Sequence, residues 1–219
     1  MSDIASEHNL RDVLEDPRPD DVPWLGARWV SLDAVTLDHH DVTLRLVAGS
    51  DVRVLFEVLD DDRCWAHVAG RPRDTDALKA TIENAPAVGR HMWVVVRRGE
   101  IIGTTSFLDV SVHDARLEIG STMYAPSQWG SDLNPTCKFL LMSFAFDQLG
   151  MGRVQLKTDI RNVRSRNAIE RLGARHEGVL RRYQRRADGT VRDTVMYSVT
   201  AEDWPTVRAG LLERIPPVE

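Results

Sequence analysis

The chain is poor in cysteine, lysine and long apolar runs, and each shortage narrows what it can be. Cys64 and Cys137 are the only cysteines in 219 residues. They are too few and too isolated for a disulfide framework or a thiolate zinc site. No apolar stretch reaches 18 residues, so no membrane-spanning helix is expected. The first residues lack a basic start followed by an apolar run, so no secretory signal is read and a cytoplasmic location is expected. His39 and His40 read as ordinary loop histidines, and no metal centre is expected. Lysine is limited to Lys79, Lys138 and Lys157 against 25 arginines, a bias that most simply reflects a GC-rich genome.

What is present is unevenly spread. Residues 1–21 hold seven acids and two bases, which is the whole formal charge of −5. The rest of the chain is neutral, yet residues 153–192 carry twelve bases against four acids. The balance excludes a generally basic nucleic-acid coat protein while marking one basic half of a single domain. Residues 1–28, with Pro17, Pro19 and Pro23 and no sustained periodicity, read as a loosely ordered acidic arm; residues 29–219 read as the domain.

Periodicity gives the elements. Val42–Val47 alternates like a half-buried first strand, and Asp51–Leu59 carries a helical apolar stripe capped by Ser50 and Asp51. A second helix is expected between Asp74 and Val88, then strands at Met92–Arg98, Ile101–Val110 and Arg116–Tyr124. After a loop at Ala125–Asn134 comes a helix apolar on nearly every side, with Asn134 as N-cap, Pro135 in its first turn and Gly150 as its stop. A strand at Arg153–Thr158 and a helix at Asn162–Leu172 follow. A hairpin about Asp188-Gly189 and a closing helix near Ala201–Arg214 complete a mixed α/β domain.

Chemistry concentrates at two helix starts. The helix opening at Asn134-Pro135 behind Gly130 and Ser131 points free backbone N–H groups and a positive dipole end outward, as a phosphate site requires. The next helix opens within Arg161-Asn162-Val163-Arg164-Ser165-Arg166, which adds cations and hydrogen-bonding side chains. Together they suit a polyanionic ligand; the alternative is that Gly130 shapes a turn and the arginines form a solvated face.

The order of elements, taken with certain residues, resembles the GNAT acyltransferase superfamily, and within it the bacterial RimJ/RimL-like branch. The resemblance covers about residues 40–200. It rests on Leu117-Glu118-Ile119-Gly120, on Trp129-Gly130-Ser131 with Asn134-Pro135 and Lys138, and on Leu156-Lys157-Thr158-Asp159. It continues through Asn162-x-x-Ser165-x-x-Ala168-Ile169-x-x-Leu172-Gly173-Ala174 and Asp188-Gly189-x-x-Arg192-Asp193.

The resemblance implies an N-acetyltransferase that moves an acetyl group from acetyl-CoA to a primary amine of a peptide N-terminus or small molecule. The fold it implies is a mostly antiparallel mixed sheet flanked by helices, with its fourth and fifth strands splayed. The cofactor arm would lie along Ser121, Thr122 and Met123 of the fourth strand. Its pyrophosphate would sit over Trp129, Gly130, Ser131, Asn134 and Lys138, with Asn162, Arg164 and Ser165 flanking the arm. Glu118 is the candidate base that takes the amine's proton, with pairing to Arg116 or Arg153 as the structural alternative. Ser165 is the candidate proton donor to the leaving thiolate, since Ile169 occupies the place where many relatives carry a tyrosine. Tyr124, Tyr183 and Tyr197 read as core or hairpin aromatics. Residues 60–75 and 180–190 would line the acceptor cleft, with Trp65 and His67 facing Arg181, Arg182, Arg185 and Arg186. No nucleic acid or membrane partner is expected, and a homodimer is a possibility by analogy. Asp132 departs from the usual phosphate loop: a carboxylate there repels a pyrophosphate unless it points away or pairs with Lys138 or an arginine. That departure makes a non-catalytic acyl-CoA-binding sensor or scaffold the alternative function.

Overall fold

A computed structural model describes residues 23–217. The acidic arm thus falls mostly outside the described residues. Its last part, residues 23–28, runs beside the turn that precedes the strand at 153. The Arg28 amide donates to the Leu149 carbonyl at 2.9 Å, and Trp24 Nε1 donates to the His113 carbonyl at 3.2 Å.

Among the described residues eight strands form one sheet in the order β1-β2-β3-β4-β5-β6-β8-β7. They are β1 (Thr36–His39), β2 (Val42–Leu46), β3 (His91–Arg97), β4 (Glu100–Ser111), β5 (Arg116–Tyr124), β6 (Arg153–Asp159), β7 (Arg175–Arg185) and β8 (Val191–Thr200). Neighbours are antiparallel except β5 and β6. The helices are α1 (Val52–Leu59), α2 (Asp62–Trp65), α3 (Thr75–Asn84), α4 (Leu133–Ser143), α5 (Val163–Arg171) and α6 (Trp204–Leu212).

Three expectations change. A strand precedes the one read as first, so the expected fourth and fifth strands are β5 and β6. His39 is no loop residue: it ends β1 with its ring buried, its Nε2 2.8 Å from the Pro216 carbonyl and its edge against Phe139. His40 turns the hairpin at φ 52°. Asp51 does precede α1, but its carboxylate turns back to the Ala48 amide at 2.7 Å and to Arg45, rather than capping the helix.

Strand alternation sorts the faces. Trp93, Phe107, Leu117, Ile119, Leu156, Tyr197 and Val199 pack with Leu141, Phe144 and Leu211 into the main core under α4 and α6. On the opposite face α1 and α3 bury Leu55, Leu59, Leu78 and Ile82 against Met92 and Met123. That cover does not extend over the β5–β8 half, where the same face carries Glu118, Lys157, Asp159 and Thr194. A polar surface therefore lies beside an apolar one, and the site is built on it.

Candidate functional site

β5 and β6 are parallel partners only over Arg116–Glu118 and Arg153–Gln155. Beyond Glu118 they diverge: β6 continues along β8 to Asp159, and β5 along β4 to Tyr124. Among the described residues the facing edges from Ile119 and Leu156 onward have no strand partner, so a wedge of unpaired backbone groups opens between them. An amide-bearing chain can satisfy such an edge as an added strand would. The helices that follow the two strands, α4 and α5, both begin at the open end of this wedge.

A bulge interrupts β5 within the wedge. Thr104 faces Met123 and Ser106 faces Gly120, so Ser121 and Thr122 together oppose Thr105, with Ser121 at φ 48°. Gly103 makes the crowding tolerable: a Cβ there would collide with the Met123 carbonyl. Thr122 Oγ1 lies 2.8 Å from Thr105 Oγ1 and accepts a hydrogen bond from Lys138 Nζ at 3.1 Å. Lys138 thus turns inward from α4 to the bulge. It is 5% exposed, and burial pulls its pKa down to about 8.

The loop before α4 is tied from several sides. Trp129 Nε1 donates to the Tyr124 carbonyl at 3.1 Å, while Ser131 Oγ donates to Gln128 O at 2.7 Å and accepts from the Leu133 amide at 3.2 Å. The helix begins at Leu133 with Asp132 in the N-cap position, so Asn134 is not the cap. Instead Asn134 Oδ1 accepts the Tyr124 hydroxyl at 3.4 Å. Pro135 still lies in the first turn, where its missing N–H leaves no bond unmade. Asp132 is held by Arg97 Nη2 at 3.0 Å, and Arg97 also binds Asp41 at 3.0 Å. Its charge is therefore neutralised from β3.

At the second helix start, which lies where the sequence places it, Asn162 Oδ1 accepts the Ser165 amide at 3.0 Å and so caps the helix. Ser165 is half-buried, and its hydroxyl has no hydrogen-bond partner among the described residues. Arg164 stacks on Trp129, its guanidinium carbon 3.5 Å from the ring centroid. That contact bridges the two helix starts across the mouth of the wedge.

Glu118 sits where the strands part, 5% exposed. Its pairing partner is neither Arg116 nor Arg153. Lys157 Nζ stands 2.6 Å from Oε2, an ion pair without hydrogen-bond alignment. The same ammonium donates to Asp109 Oδ2 at 3.1 Å and to the Tyr183 hydroxyl at 3.3 Å. Burial pushes the Glu118 carboxyl above its usual range, and Lys157 reverses only part of that shift. The other oxygen leans along the strand toward the bulge, since a Cβ on Gly120 would lie 2.7 Å from Oε1.

Sequence reasoning missed Asp109 and the roles of Lys157 and Arg97. Asp109 reaches the site because a second bulge, on β4 opposite Leu117, holds it at φ 48°. A strand-averse aspartate inside an otherwise apolar run was the available signal. Of the expected acceptor-lining residues, Arg186 is bound by both oxygens of Asp159, at 2.6 and 2.9 Å. Trp65 donates from Nε1 to Leu59 O and packs with the α1–α3 cluster, while His67, Arg181, Arg182 and Arg185 are exposed. Tyr124 and Tyr197 are core aromatics as read, and Tyr183 lies on the hairpin.

Comparison with known proteins fits this geometry. The model of the acetyltransferase (GNAT) domain family matches residues 41–175. The N-acetyltransferase YoaA of Bacillus subtilis (strain 168), itself uncharacterized, is 31% identical over 170 residues, covering 74% of this chain and 95% of that protein. A solved structure from T. thermophilus, named for a proposed acetyltransferase activity, is 35% identical with a TM-score of 0.79, covering 86% of this chain and all of that one. Mycobacterium smegmatis RimJ, solved in complex with CoA-disulfide, shares the fold at 22% identity and a TM-score of 0.70, covering 78% and 88% of the two chains. The likeness to the RimJ/RimL-like branch thus holds at the level of the fold. The chain is an acetyltransferase of the GNAT family.

Proposed function

We propose that this acetyltransferase takes its acetyl group from acetyl-CoA and delivers it to a primary amine by direct attack on the thioester. The observation that carries the reading is the position of Glu118: a buried carboxyl with a raised pKa at the point where β5 and β6 part, one oxygen directed toward the β5 bulge. Amines reach neutral pH protonated, and only the neutral form attacks. A carboxylate with a raised pKa is a stronger base than a surface glutamate and is suited to remove that proton.

In this reading the cofactor arm lies along Ser121, Thr122 and Met123 in the wedge. Its pyrophosphate meets Trp129, Gly130, Ser131 and Asn134 at the α4 start, with Asn162 and Arg164 alongside. Lys138 contributes from below, by holding Thr122 in the bulge. The amine nitrogen bonds to the acetyl carbon, the carbon–sulfur bond breaks, and Glu118 takes the amine's proton. A backbone amide of the bulge stabilises the oxyanion. Ser165, whose hydroxyl is uncommitted, donates its proton to the leaving thiolate and is restored by the second proton that the nitrogen loses on becoming an amide.

The non-catalytic alternative loses its main support, because the charge of Asp132 is matched by Arg97. The deciding experiment is a thiol-release assay with acetyl-CoA against a mixed panel of amines and peptides. Release with at least one acceptor supports the reading. Tight acetyl-CoA binding with no release on any acceptor overturns it in favour of a binding module.

A further inference from the structure

The charges beside Glu118 are paired unequally, and the inequality has a direction. At one end of the polar face a single ammonium, Lys157, serves two carboxylates, Glu118 and Asp109. Farther along the same face Asp159 is fully used by Arg186. Arg192 then remains. It stands on β8 two residues before Thr194, which pairs with Asp159, so alternation puts its side chain on the face that carries Glu118 and Lys157.

Arg192 makes no ion pair or hydrogen bond among the described residues. Its Nε is sealed from solvent without an acceptor, as is the hydroxyl of Thr194 beside it. Buried donors left unpaired are rare and call for an explanation. Arg192 as a whole is only partly buried and its Nη atoms are not among the sealed ones, so the fork is the part of the guanidinium left to meet a ligand. Its charged neighbours are Asp159 and Glu118, which attract it, and Arg186, which repels it, with Tyr183 adjacent; burial lowers its pKa.

The face is therefore dipolar. It has an excess of carboxylate where the amine must lose its proton and, within electrostatic reach of Glu118, a guanidinium with no ion-pair partner of its own among the described residues. A free amine matches only the first end. A phosphate-bearing amine would bring two negative charges to a guanidinium flanked by Asp159 and Glu118. A zwitterion with one ammonium and one carboxylate matches both.

We propose that the acceptor is an amino acid in the broad sense, a primary amine with a carboxylate a few atoms away, and that Arg192 grips the carboxylate while Glu118 and Asp109 receive the ammonium. This rests on the acetyl-transfer reading above and names the acceptor class for the same site.

Binding and turnover test it separately. Alanine, β-alanine and γ-aminobutyrate are each compared with their carboxamides by calorimetry on the CoA-saturated protein, where no transfer occurs. At least one acid binds more tightly than its amide, by about tenfold, as expected for a charge-assisted bidentate contact. Arg192→Gln abolishes that preference, and Arg192→Lys, which keeps the charge without the fork, retains part of it. Equal binding of every acid and its amide in the unaltered protein overturns the proposal, whether or not a variant folds. Thiol release on amines without preference for acids also overturns it, and leaves the transferase reading standing. Acid-selective binding with no release on any amine sinks the transferase reading and keeps the Arg192 site.

Discussion

Lys157 places its ammonium 2.6 Å from Oε2 of Glu118, so one oxygen of the carboxylate is engaged and the other is left facing Gly120 and the bulge. The pair explains how a carboxyl buried on the sheet can hold charge at all. Burial alone would neutralise it, and a nearby cation offsets part of the cost. The remaining upward shift is what a base needs. Glu118→Gln keeps the shape and removes the proton acceptor, so turnover should fall by about 10²–10⁴-fold while acetyl-CoA binding is unchanged. Steady-state rates with calorimetry check both, and unaltered turnover removes Glu118 from the base role.

The sign of the pH dependence follows. Glu118 must be ionised to accept a proton, so activity rises with pH through its folded-state pKa, above the ordinary carboxylate range. Lys157→Met removes the cation that pulls this pKa down, which moves the acid limb of the kcat/KM profile to higher pH. A limb that stays in place, or moves to lower pH, would assign it to another group.

Gly120 tests whether the position of Oε1 matters apart from its charge. In Gly120→Ala the new Cβ would stand 2.7 Å from Oε1 and 2.9 Å from Leu108 Cδ1, both ends of side chains that can shift. The fold should lose only about 1–3 kcal/mol, toward the lower figure. Turnover should drop on the order of tenfold, because the carboxylate is pushed off its line to the bulge. Denaturation and rate measurements on one sample separate the two effects.

What the sequence made legible was local. The strand at Arg116–Tyr124 and the helix capped by Asn162 follow from alternation and one side-chain bond, and both lie where expected. β1 escaped notice because its second core position is His39, a residue that reads as polar. The α4 start lies two residues earlier than the sequence suggests because the Ser131 hydroxyl satisfies the Leu133 amide, which places Asn134 inside the helix. The partners of Glu118 were out of reach altogether. Lys157 meets it only across the parallel β5–β6 contact, and Asp109 only through a bulge. A resemblance named the base; long-range packing decided its charge state.

Arg97 carries a prediction about cofactor affinity. It is the side chain that neutralises Asp132 beneath the proposed pyrophosphate position. Arg97→Met leaves that carboxylate unmatched, and acetyl-CoA affinity should fall on the order of tenfold or more. The Arg97→Met/Asp132→Asn double variant removes the repulsion as well and should regain most of the loss. A double variant no better than the single one would mean that Arg97 acts through Asp41 or the loop backbone instead.

Lys138 makes a prediction that opposes stability to function. Its pKa falls from 10.5 in the unfolded chain to about 8 in the buried state, which corresponds to a penalty of about 3 kcal/mol at neutral pH. The penalty is full below about pH 8. Between that value and 10.5 the unfolded chain still holds a proton that the folded chain has released, so stability rises with pH across this window. Lys138→Met should abolish that rise. It should also stabilise the protein at pH 7 by about 2 kcal/mol, after about 1 kcal/mol is given up with the Thr122 hydrogen bond. If the ammonium is retained in order to hold Thr122 in the bulge, the more stable variant is also the slower enzyme, with kcat reduced and acetyl-CoA binding little changed. Urea denaturation at pH 7 and pH 10, run beside kinetics, decides the matter. A variant that is less stable at pH 7, or one with undiminished kcat, would refute this account of why a lysine sits in the core.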